Sequence, residues 1–195
     1  MSPAAKLFAL AVLIALAWAV APVAEAQAPI RIGATLSQTG VLATTGQAIL
    51  RGYQLCVKHT NDKGGVLGRK LDLVVYDDGS DPATAARLYE QLITQDKVDL
   101  LLGPITGPIS DPVANVTEKH KMPMVAPAAG TTSIYRKGRK FIFSMQPPGE
   151  TFLEGLIDLA AKKGLKTVAL INTGDVPGRA TTQGTVPLTP RAAGV

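Results

Sequence analysis

The stretch NDKGGVLGRKLDLVVYDDGSDP, from Asn61 to Pro82, contains a helix end, a turn, a buried strand and the start of a second helix. Gly64, Gly65 and Gly68 suit the positive-φ turn that commonly follows a helix. The run from Leu71 to Val75 is largely apolar and partly β-branched, which is typical of a parallel strand covered on both faces. Asp81 is a preferred helix cap, and Pro82 fits the first turn that follows. The stretch therefore predicts part of a βαβ fold.

Strands and helices alternate on both sides of this stretch. The predicted strands are Ile30–Leu36, Leu71–Asp77, Val98–Leu102, Met124–Ala126, Lys140–Ser144 and Thr167–Ile171. Predicted helices are Thr45–Asn61, Ala83–Thr94, a segment with an apolar face from Ile109 to His120, and an amphipathic segment from Phe152 to Ala160 that ends at Gly164. This order predicts an α/β fold, with a doubly wound parallel sheet and helices on both faces.

Ligands of such sheets bind beyond the carboxyl ends of the strands, where the strand order reverses. The corresponding loops are Ser37–Thr45, Asp77–Asp81, Gly103–Ser110 and Pro127–Ser133. The last two are rich in glycine and hydroxyl residues, which suits a carboxylate or another small anion. The alternative is that these residues only satisfy the backbone of their own turns.

The first 26 residues have the pattern of a signal peptide. Lys6 provides a basic start, Leu7 to Val20 is apolar, and Ala24-Glu25-Ala26 offers small residues for cleavage before Gln27. A membrane anchor is the alternative, but a spanning helix needs about 20 apolar residues and this run is shorter. We therefore expect an exported protein.

Charge and cysteine content give two further predictions. The net charge is +5, and the basic residues are dispersed except in the run from Arg136 to Lys140. That run has no interleaved aromatic residues for base stacking, so it predicts a solvated surface loop and no nucleic-acid contact. The single cysteine, Cys56, excludes an internal disulfide and shares a helical face with Ile49 and Tyr53, which predicts a small buried side chain.

Catalytic patterns are absent from the sequence. His59 and His120 lie on predicted helices without a partner at metal-ligand spacing. A strand end and a helix cap account for Asp77, Asp78 and Asp81 more simply than a calcium site or acid–base chemistry does. No nucleophile elbow, phosphate loop or dinucleotide fingerprint occurs. The sequence predicts neither an enzyme nor a cofactor.

The C-terminal end is irregular. We expect a helix from Arg179 onward, but Pro187 and Pro190 fall in its later turns, where proline costs about 3 kcal/mol or more. The chain then stops at Val195 before the next expected strand. This pattern is interpreted as a truncated or altered end.

Five stretches together have a recognisable order and spacing: IRIGATLSQTG at Ile30–Gly40, the Asn61–Pro82 unit, LLLGPITGPIS at Leu100–Ser110, MVAPAAGTTS at Met124–Ser133 and GLIDLAAKKGLKTVALI at Gly155–Ile171. In these stretches, the chain resembles the leucine/isoleucine/valine-binding family of periplasmic solute-binding proteins of ABC transporters. The resemblance implies a type I lobe over residues 27–145 and the start of an incomplete second lobe over residues 146–195. It also implies a periplasmic location, a small-molecule ligand held between the lobes, and a membrane permease as partner.

The resemblance places the ligand on the two glycine-rich loops. Its implied site residues are Thr106, Gly107, Ala128, Gly130 and Thr131, with Thr45 beside the ligand's side chain. A hydroxyl residue common in the family is replaced by Gly107, so Thr106 or the backbone would serve instead. The implied ligand is a branched-chain amino acid or a related small amide or carboxylate. Alternatives are a ligand-sensing receptor domain of the same fold, a non-functional fragment, and a secreted α/β enzyme, which would need a nucleophile–base pair.

Overall fold

The computed structural model describes residues 27–172, 174 and 176–185, so the predicted signal peptide, Pro187 and Pro190 lie outside the described residues. The strands are β1 Ile30–Leu36, β2 Leu71–Asp77, β3 Leu100–Leu102, β4 Met124–Ala126 and β5 Ile142–Ser144. The helices are α1 Ala43–Asp62, α2 Pro82–Thr94, α3 Gly107–His120, α4 Thr132–Tyr135, α5 Glu154–Lys162 and α6 Val176–Thr185, with a 3-10 turn at Gly149–Thr151. Among these helices, none has the length and apolar character that a membrane span requires.

The five strands form one parallel sheet in the order β2-β1-β3-β4-β5. From β1 the chain continues to β2, on one side of β1. It then crosses to β3, β4 and β5, which lie on the other side of β1. Since crossovers between parallel strands are right-handed, α1 lies on one face of the sheet and α2 and α3 lie on the other. This topology confirms the predicted α/β fold, and it places the reversal of strand order at β1.

The core lies on the face that α2 and α3 cover. Its buried members include Tyr89, Leu92, Leu101, Ile109, Val113, Met124 and Ile142. The sheet and α2 approach closely at Gly33, where a Cβ atom would lie 3.2 Å from Cδ2 of Leu92. On the other face, Leu100 and Phe143 are exposed, because α1 packs mainly against β1 and β2.

The Asn61–Pro82 unit is fixed at both ends by side chains. Asn61, near the end of α1, donates to the Leu71 carbonyl at 2.8 Å and accepts from the Leu71 N–H at 2.7 Å, which fixes the start of β2. A Cβ atom on Gly65 would lie 1.9 Å from the Arg69 carbonyl oxygen, so the turn requires glycine there. Asp81 caps α2 as predicted, accepting from the Thr84 N–H at 2.7 Å.

The predicted strand at Thr167–Ile171 is wrong. These residues have no regular secondary structure, and Ile171 is 98% exposed. An extended segment becomes a strand by hydrogen bonding to a neighbour, and no described strand pairs with this segment. The α5 helix that precedes it ends near Gly164 as predicted, with φ of 70° at that glycine.

The prediction of a buried Cys56 is also wrong, because its side chain is exposed. Gly46 is the single buried residue of α1, at the place where the helix approaches the carboxyl end of β1. A Cβ atom on Gly46 would lie 1.9 Å from the Ser37 carbonyl oxygen. The closest approach of α1 to the sheet is therefore in its first turn, and no described element covers the helix at Cys56.

The basic run is only partly the solvated loop that the sequence predicts. Arg136, Lys137 and Lys140 are exposed, but the side chain of Arg139 is only 6% exposed. The Arg139 guanidinium bonds to Asp111 Oδ1 at 2.5 Å and to Asn115 Oδ1 at 2.6 Å, one turn apart on α3. Arg139 is buried because these two side chains satisfy its donors.

Candidate ligand-binding site

A cavity of about 140 Å³, here called the strand-end cavity, lies beyond the carboxyl ends of β3 and β4. Its wall is formed by Thr106, Gly107, Ala128, Gly130, Thr131, Gln146, Gly149, Phe152 and Thr181. The structure thus brings together five of the six residues that the sequence singles out. Thr45 is the exception, since it is exposed in the first turn of α1 and does not line the cavity. A larger open groove of about 420 Å³ lies between α1 and β2, away from the loops Gly103–Ser110 and Pro127–Ser133 that form most of the strand-end cavity.

Backbone contacts hold the two cavity loops together. The Thr106 N–H donates to the Ala128 carbonyl at 3.0 Å, and Ile105 forms a parallel bridge with Ala128. Nearer the sheet, the Gly103 N–H donates to the Val125 carbonyl at 2.7 Å. These bonds extend the pairing of β3 with β4 past the end of the sheet, so the loops form one surface.

The N-terminus of α3 faces this surface without a capping group. Thr106 is its N-cap residue, and the Thr106 side chain makes no capping hydrogen bond. No acidic residue lies in the first turn either, in contrast to α2, which Asp81 caps. Because the first N–H groups of a helix are unpaired and carry partial positive charge, the Gly107 end of α3 favours an anion. The φ of 66° at Thr106 is unusual for a β-branched residue and places strain at this point of the wall.

Gly107 and Thr131 contact each other directly across the two loops. A Cβ atom on Gly107 would lie 2.5 Å from Oγ1 and 2.9 Å from Cβ of Thr131. Thr131 is the N-cap residue of α4, yet its hydroxyl makes no capping hydrogen bond. The Thr131 hydroxyl is therefore available at the position where a side chain on residue 107 would begin.

Two tyrosines, on opposite faces of the sheet, form hydrogen bonds to the backbone at the start of the loop Gly103–Ser110. Tyr89 of α2 donates to the Leu102 carbonyl, and Tyr53 of α1 donates to the Gly103 carbonyl at 3.3 Å. Burial raises the pKa of both phenols, so both stay protonated donors through the neutral range. These bonds fix the backbone immediately before the loop that begins at Gly103.

The aspartates at the carboxyl end of β2, Asp77 and Asp78, form hydrogen bonds within the fold. Asp78 is 1% exposed, and its carboxylate accepts from Thr35 Oγ1 at 2.8 Å and from Ser37 Oγ at 2.6 Å. Asp77 accepts from the backbone N–H groups of Gln38 and Gly79, both at 2.9 Å. Desolvation raises the pKa of Asp77, but these hydrogen bonds outweigh it and the net pKa is lowered. Within the part of the chain that the structure describes, no cluster of three or more histidine, cysteine or acidic residues is arranged for a metal ion.

Four residues of the cavity wall are not among those that the sequence predicts: Gln146, Gly149, Phe152 and Thr181. Phe152 was predicted on the apolar face of an amphipathic helix, but α5 begins at Glu154, and Phe152 is 52% exposed at the cavity. The sequence Pro147-Pro148-Gly149 was the available signal, since it favours a turn immediately before the helix. The Gly149 N–H donates to the Gly130 carbonyl at 2.8 Å, which holds the turn at Gly149 against the loop Pro127–Ser133.

Comparison with known proteins supports the resemblance. A family model described as periplasmic binding protein matches residues 29–194. The Leu/Ile/Val-binding protein BraC3 of Rhizobium johnstonii is 32% identical over 120 residues, which cover 62% of this chain and 32% of the relative. The chain therefore spans about a third of that relative's length.

Solved structures show the same fold. A branched-chain amino acid substrate-binding protein of Streptococcus pneumoniae, in complex with isoleucine, matches 82% of this chain and 46% of its own, with 25% identity and a TM-score of 0.75. A solute-binding protein of Rhodopseudomonas palustris, in complex with 3,4-dihydroxybenzoic acid, matches 85% of this chain and 44% of its own, with 27% identity and a TM-score of 0.76. The chain spans less than half of either structure.

Proposed function

The chain belongs to the periplasmic binding protein family, and from this premise we propose that it acts as the extracytoplasmic solute-binding component of an ABC transporter. The observation that carries the proposal is the strand-end cavity, where an uncapped helix N-terminus meets two threonine hydroxyls. Relatives that share this fold bind isoleucine and 3,4-dihydroxybenzoic acid, both of which carry a carboxylate. A branched-chain amino acid or a related small carboxylate or amide is the proposed ligand class.

In the proposed binding mode, the ligand carboxylate accepts from the Gly107 N–H and from the hydroxyls of Thr106 and Thr131. Ala128 and Gly130 have no long side chain, so the carboxylate can approach their backbone closely. The positive end of α3 supplies the electrostatic attraction, and no acidic side chain among the described residues of the wall opposes it. Thr45, which lies outside the cavity, would contact a ligand only after movement of α1 or closure of the site.

The proposed organisation has two lobes. Residues 27–145 form the first lobe, and residues 146–195 begin the second, so that Gln146, Gly149 and Phe152 would approach the ligand from the other side. Closure of the lobes over the ligand would bury it and present the closed form to a membrane permease. Export by a signal peptide over residues 1–26 would place the protein in the periplasm.

Calorimetric titration tests this function directly. The purified chain is titrated with leucine, valine, an aliphatic amide and benzoate, and saturable binding of at least one is expected. Thr106→Ala and Thr131→Ala should each weaken that ligand by about 1–3 kcal/mol, because each removes a hydrogen bond to a charged group. Ser133→Ala is the matched control, since Ser133 is an exposed neighbour outside the cavity wall.

A folded chain that binds none of the four would refute the proposed role for this chain and would support the fragment alternative. Circular dichroism establishes whether the chain is folded in that case. Binding that both threonine variants leave unchanged would refute the site while keeping the function.

A further inference from the structure

The edge of the sheet where the five parallel strands begin, here called the amino edge, lies opposite the strand-end cavity. The loops that lead into β2, β3, β4 and β5 each contain a lysine at this edge: Lys70, Lys97, Lys121 and Lys140. All four are exposed, and none forms an ion pair with another described residue. Because the strands are parallel, the fold gathers these charges along one edge.

The acidic residues near the amino edge are hydrogen bonded within the fold. Asp72, Asp96, Asp99 and Glu118 each accept at least one hydrogen bond from the protein. The Glu118 carboxylate, for example, accepts from the N–H groups of Lys140 and Phe141, both at 2.6 Å. These acids are therefore held against the backbone or against Arg31 and Tyr76, and the four lysines can attract an anionic partner.

The turn before β2 adds exposed apolar surface to the same edge. The Val66 N–H donates to the Arg69 carbonyl at 2.8 Å, and the Arg69 N–H donates to the Val66 carbonyl at 2.9 Å. Leu67 and Gly68 therefore form the two-residue tip of a hairpin. Leu67 is 90% exposed and Val66 is 41% exposed, with Lys70 directly after the turn.

Leu67 is an unfavourable residue for this turn. The φ angles are 53° at Leu67 and 77° at Gly68, as in a type I′ turn, where asparagine or glycine is preferred at the first position. Leucine carries steric strain in this conformation, and its exposure means that packing within the described chain gives little in return. A residue that breaks a local preference without a packing gain is expected where another role favours it.

We infer that the amino edge binds an anionic phospholipid surface, with Leu67 inserted among the headgroups and the lysines beside the phosphates. Four strand spacings of about 4.8 Å separate β2 from β5, so the lysines spread over about 19 Å. Lysine acts as a point charge, and dispersed lysines suit a surface of many mobile phosphates. Insertion of an apolar side chain beside basic residues strengthens such binding.

This surface is separate from the solute-binding role proposed above. The chain leaves β5 at Ser144, at the cavity edge of the sheet, so the proposed second lobe begins on the side away from Leu67. The inference does not depend on which solute is bound, or on whether one is bound.

Vesicle sedimentation tests the inference. The purified chain is mixed with vesicles of equal parts phosphatidylglycerol and phosphatidylcholine, or of phosphatidylcholine alone, and the bound fraction is measured. The chain should bind the anionic vesicles at least tenfold more tightly, and added salt should reduce this binding. Every variant keeps the N-terminal segment of the parent chain, so differences between them report on the amino edge.

Leu67→Asn separates binding from folding. It should weaken binding to the anionic vesicles by about tenfold, because it removes the inserted apolar side chain. It should also raise the urea midpoint, because asparagine suits the first position of the turn. Val41→Asn is the matched control, since Val41 is 94% exposed but lies in the loop after β1, at the cavity edge. It should leave vesicle binding unchanged.

The lysines are tested with a matched change of charge. Lys97→Gln/Lys121→Gln should weaken binding to the anionic vesicles by about tenfold or more. Arg51→Gln/Arg87→Gln removes the same charge from exposed positions within α1 and α2, away from the amino edge, and should change binding by less than about twofold.

Equal binding to the two kinds of vesicle would overturn the inference, as would equal effects of the two charge variants. If Leu67→Asn has no effect, or no more effect than Val41→Asn, insertion into lipid is overturned. Competition by polyglutamate in that case would assign the lysines to an acidic polypeptide instead. None of the substituted residues lines the strand-end cavity, so calorimetry with the solutes tests the proposed function separately.

Discussion

A Cβ atom on Gly107 would lie 2.5 Å from Oγ1 of Thr131, so these two residues share one space in the wall of the strand-end cavity. Residue 107 begins α3, and residue 131 precedes α4. A side chain on residue 107 and the threonine on residue 131 exclude each other. The family resemblance implies a hydroxyl at the position of Gly107, and here the hydroxyl of Thr131 occupies that space from the neighbouring loop.

This exclusion predicts a strong coupling between positions 107 and 131. Gly107→Ser should destabilise the chain by about 1–3 kcal/mol, because its Cβ overlaps the Thr131 side chain in a packed site. Thr131→Gly removes the overlapping atoms, so Gly107→Ser should cost much less in that background. A double-mutant cycle of urea midpoints measures the coupling.

Ligand affinity tests the same pair independently of stability. Thr131→Gly should weaken the carboxylate ligand, and the double variant Gly107→Ser/Thr131→Gly should recover part of the loss, since it returns a hydroxyl to the same space. Gly155→Ser, on the exposed side of α5, is the control for adding a serine. Additive effects on both stability and affinity would contradict the shared space.

The two tyrosines at the end of β3 lead to a second prediction. Tyr89→Phe leaves the partly buried Leu102 carbonyl without this donor and should cost about 1–3 kcal/mol of the free energy of unfolding. Tyr53→Phe removes a longer bond, 3.3 Å to the Gly103 carbonyl, and should cost about 0.5–1.5 kcal/mol. Urea unfolding of the two variants and of the double variant checks the order.

Alkaline titration provides a separate test of these phenols. Because burial raises the pKa of both tyrosines in the folded chain, the unfolded chain ionises first above about pH 10. The stability that protonated Tyr53 and Tyr89 provide is present below that pH and is lost as the pH rises. The double phenylalanine variant should lose less stability between pH 9 and about 11 than the parent chain. Equal slopes would show that the phenols are not buried in this way.

A third prediction concerns Asp78 and the two hydroxyls it accepts. Asp78→Ala leaves Thr35 and Ser37, both fully buried, without their acceptor, and should cost about 1–3 kcal/mol or more. Asp78→Asn retains one acceptor oxygen and should cost less. Ser110→Ala is the informative comparison, because the buried Ser110 hydroxyl has no hydrogen-bond partner among the described residues and its removal should be nearly neutral. Similar costs for Asp78→Ala and Ser110→Ala would contradict the role of the network.

The parts of the fold that depend on local sequence were predictable, and those that depend on distant partners were not. The bounds of β1 and β2 agree with the prediction, because an apolar run between turn signals specifies a strand. The prediction that β2 is covered on both faces is wrong, because β2 is an edge strand of the described sheet and none of its residues is fully buried. Thr167–Ile171 has the same kind of sequence but no described neighbour, so it forms no strand. Cys56 has a helical apolar spacing, but its exposure depends on what covers α1.

The residues of the cavity wall also fall into two groups, those that local sequence predicts and those that it does not. Thr106, Gly107, Ala128, Gly130 and Thr131 follow adjacent strands, so the topology alone brings them together. Phe152 and Thr181 are distant in sequence from these loops, and no local pattern indicates that they contact the same cavity. Their role as ligand contacts, like that of the five predicted residues, stays a prediction until a ligand is measured.

The last prediction concerns acid stability and the contact between α3 and the basic run. Desolvation raises the pKa of Asp111, but the hydrogen bonds from Lys137 and Arg139 outweigh it, so the net pKa is lower in the folded chain. The stability from this carboxylate is therefore present above its unfolded pKa, near 4, and is lost as the pH falls toward the folded value. Asp111→Asn should flatten the loss of stability below about pH 5 relative to the parent chain, measured as urea midpoints from pH 7 downward. Asp158→Asn changes an exposed carboxylate that forms no ion pair with any described residue, and it should leave the slope as it is. If both variants have the same acid slope, Asp111 does not hold the Arg139 loop to α3.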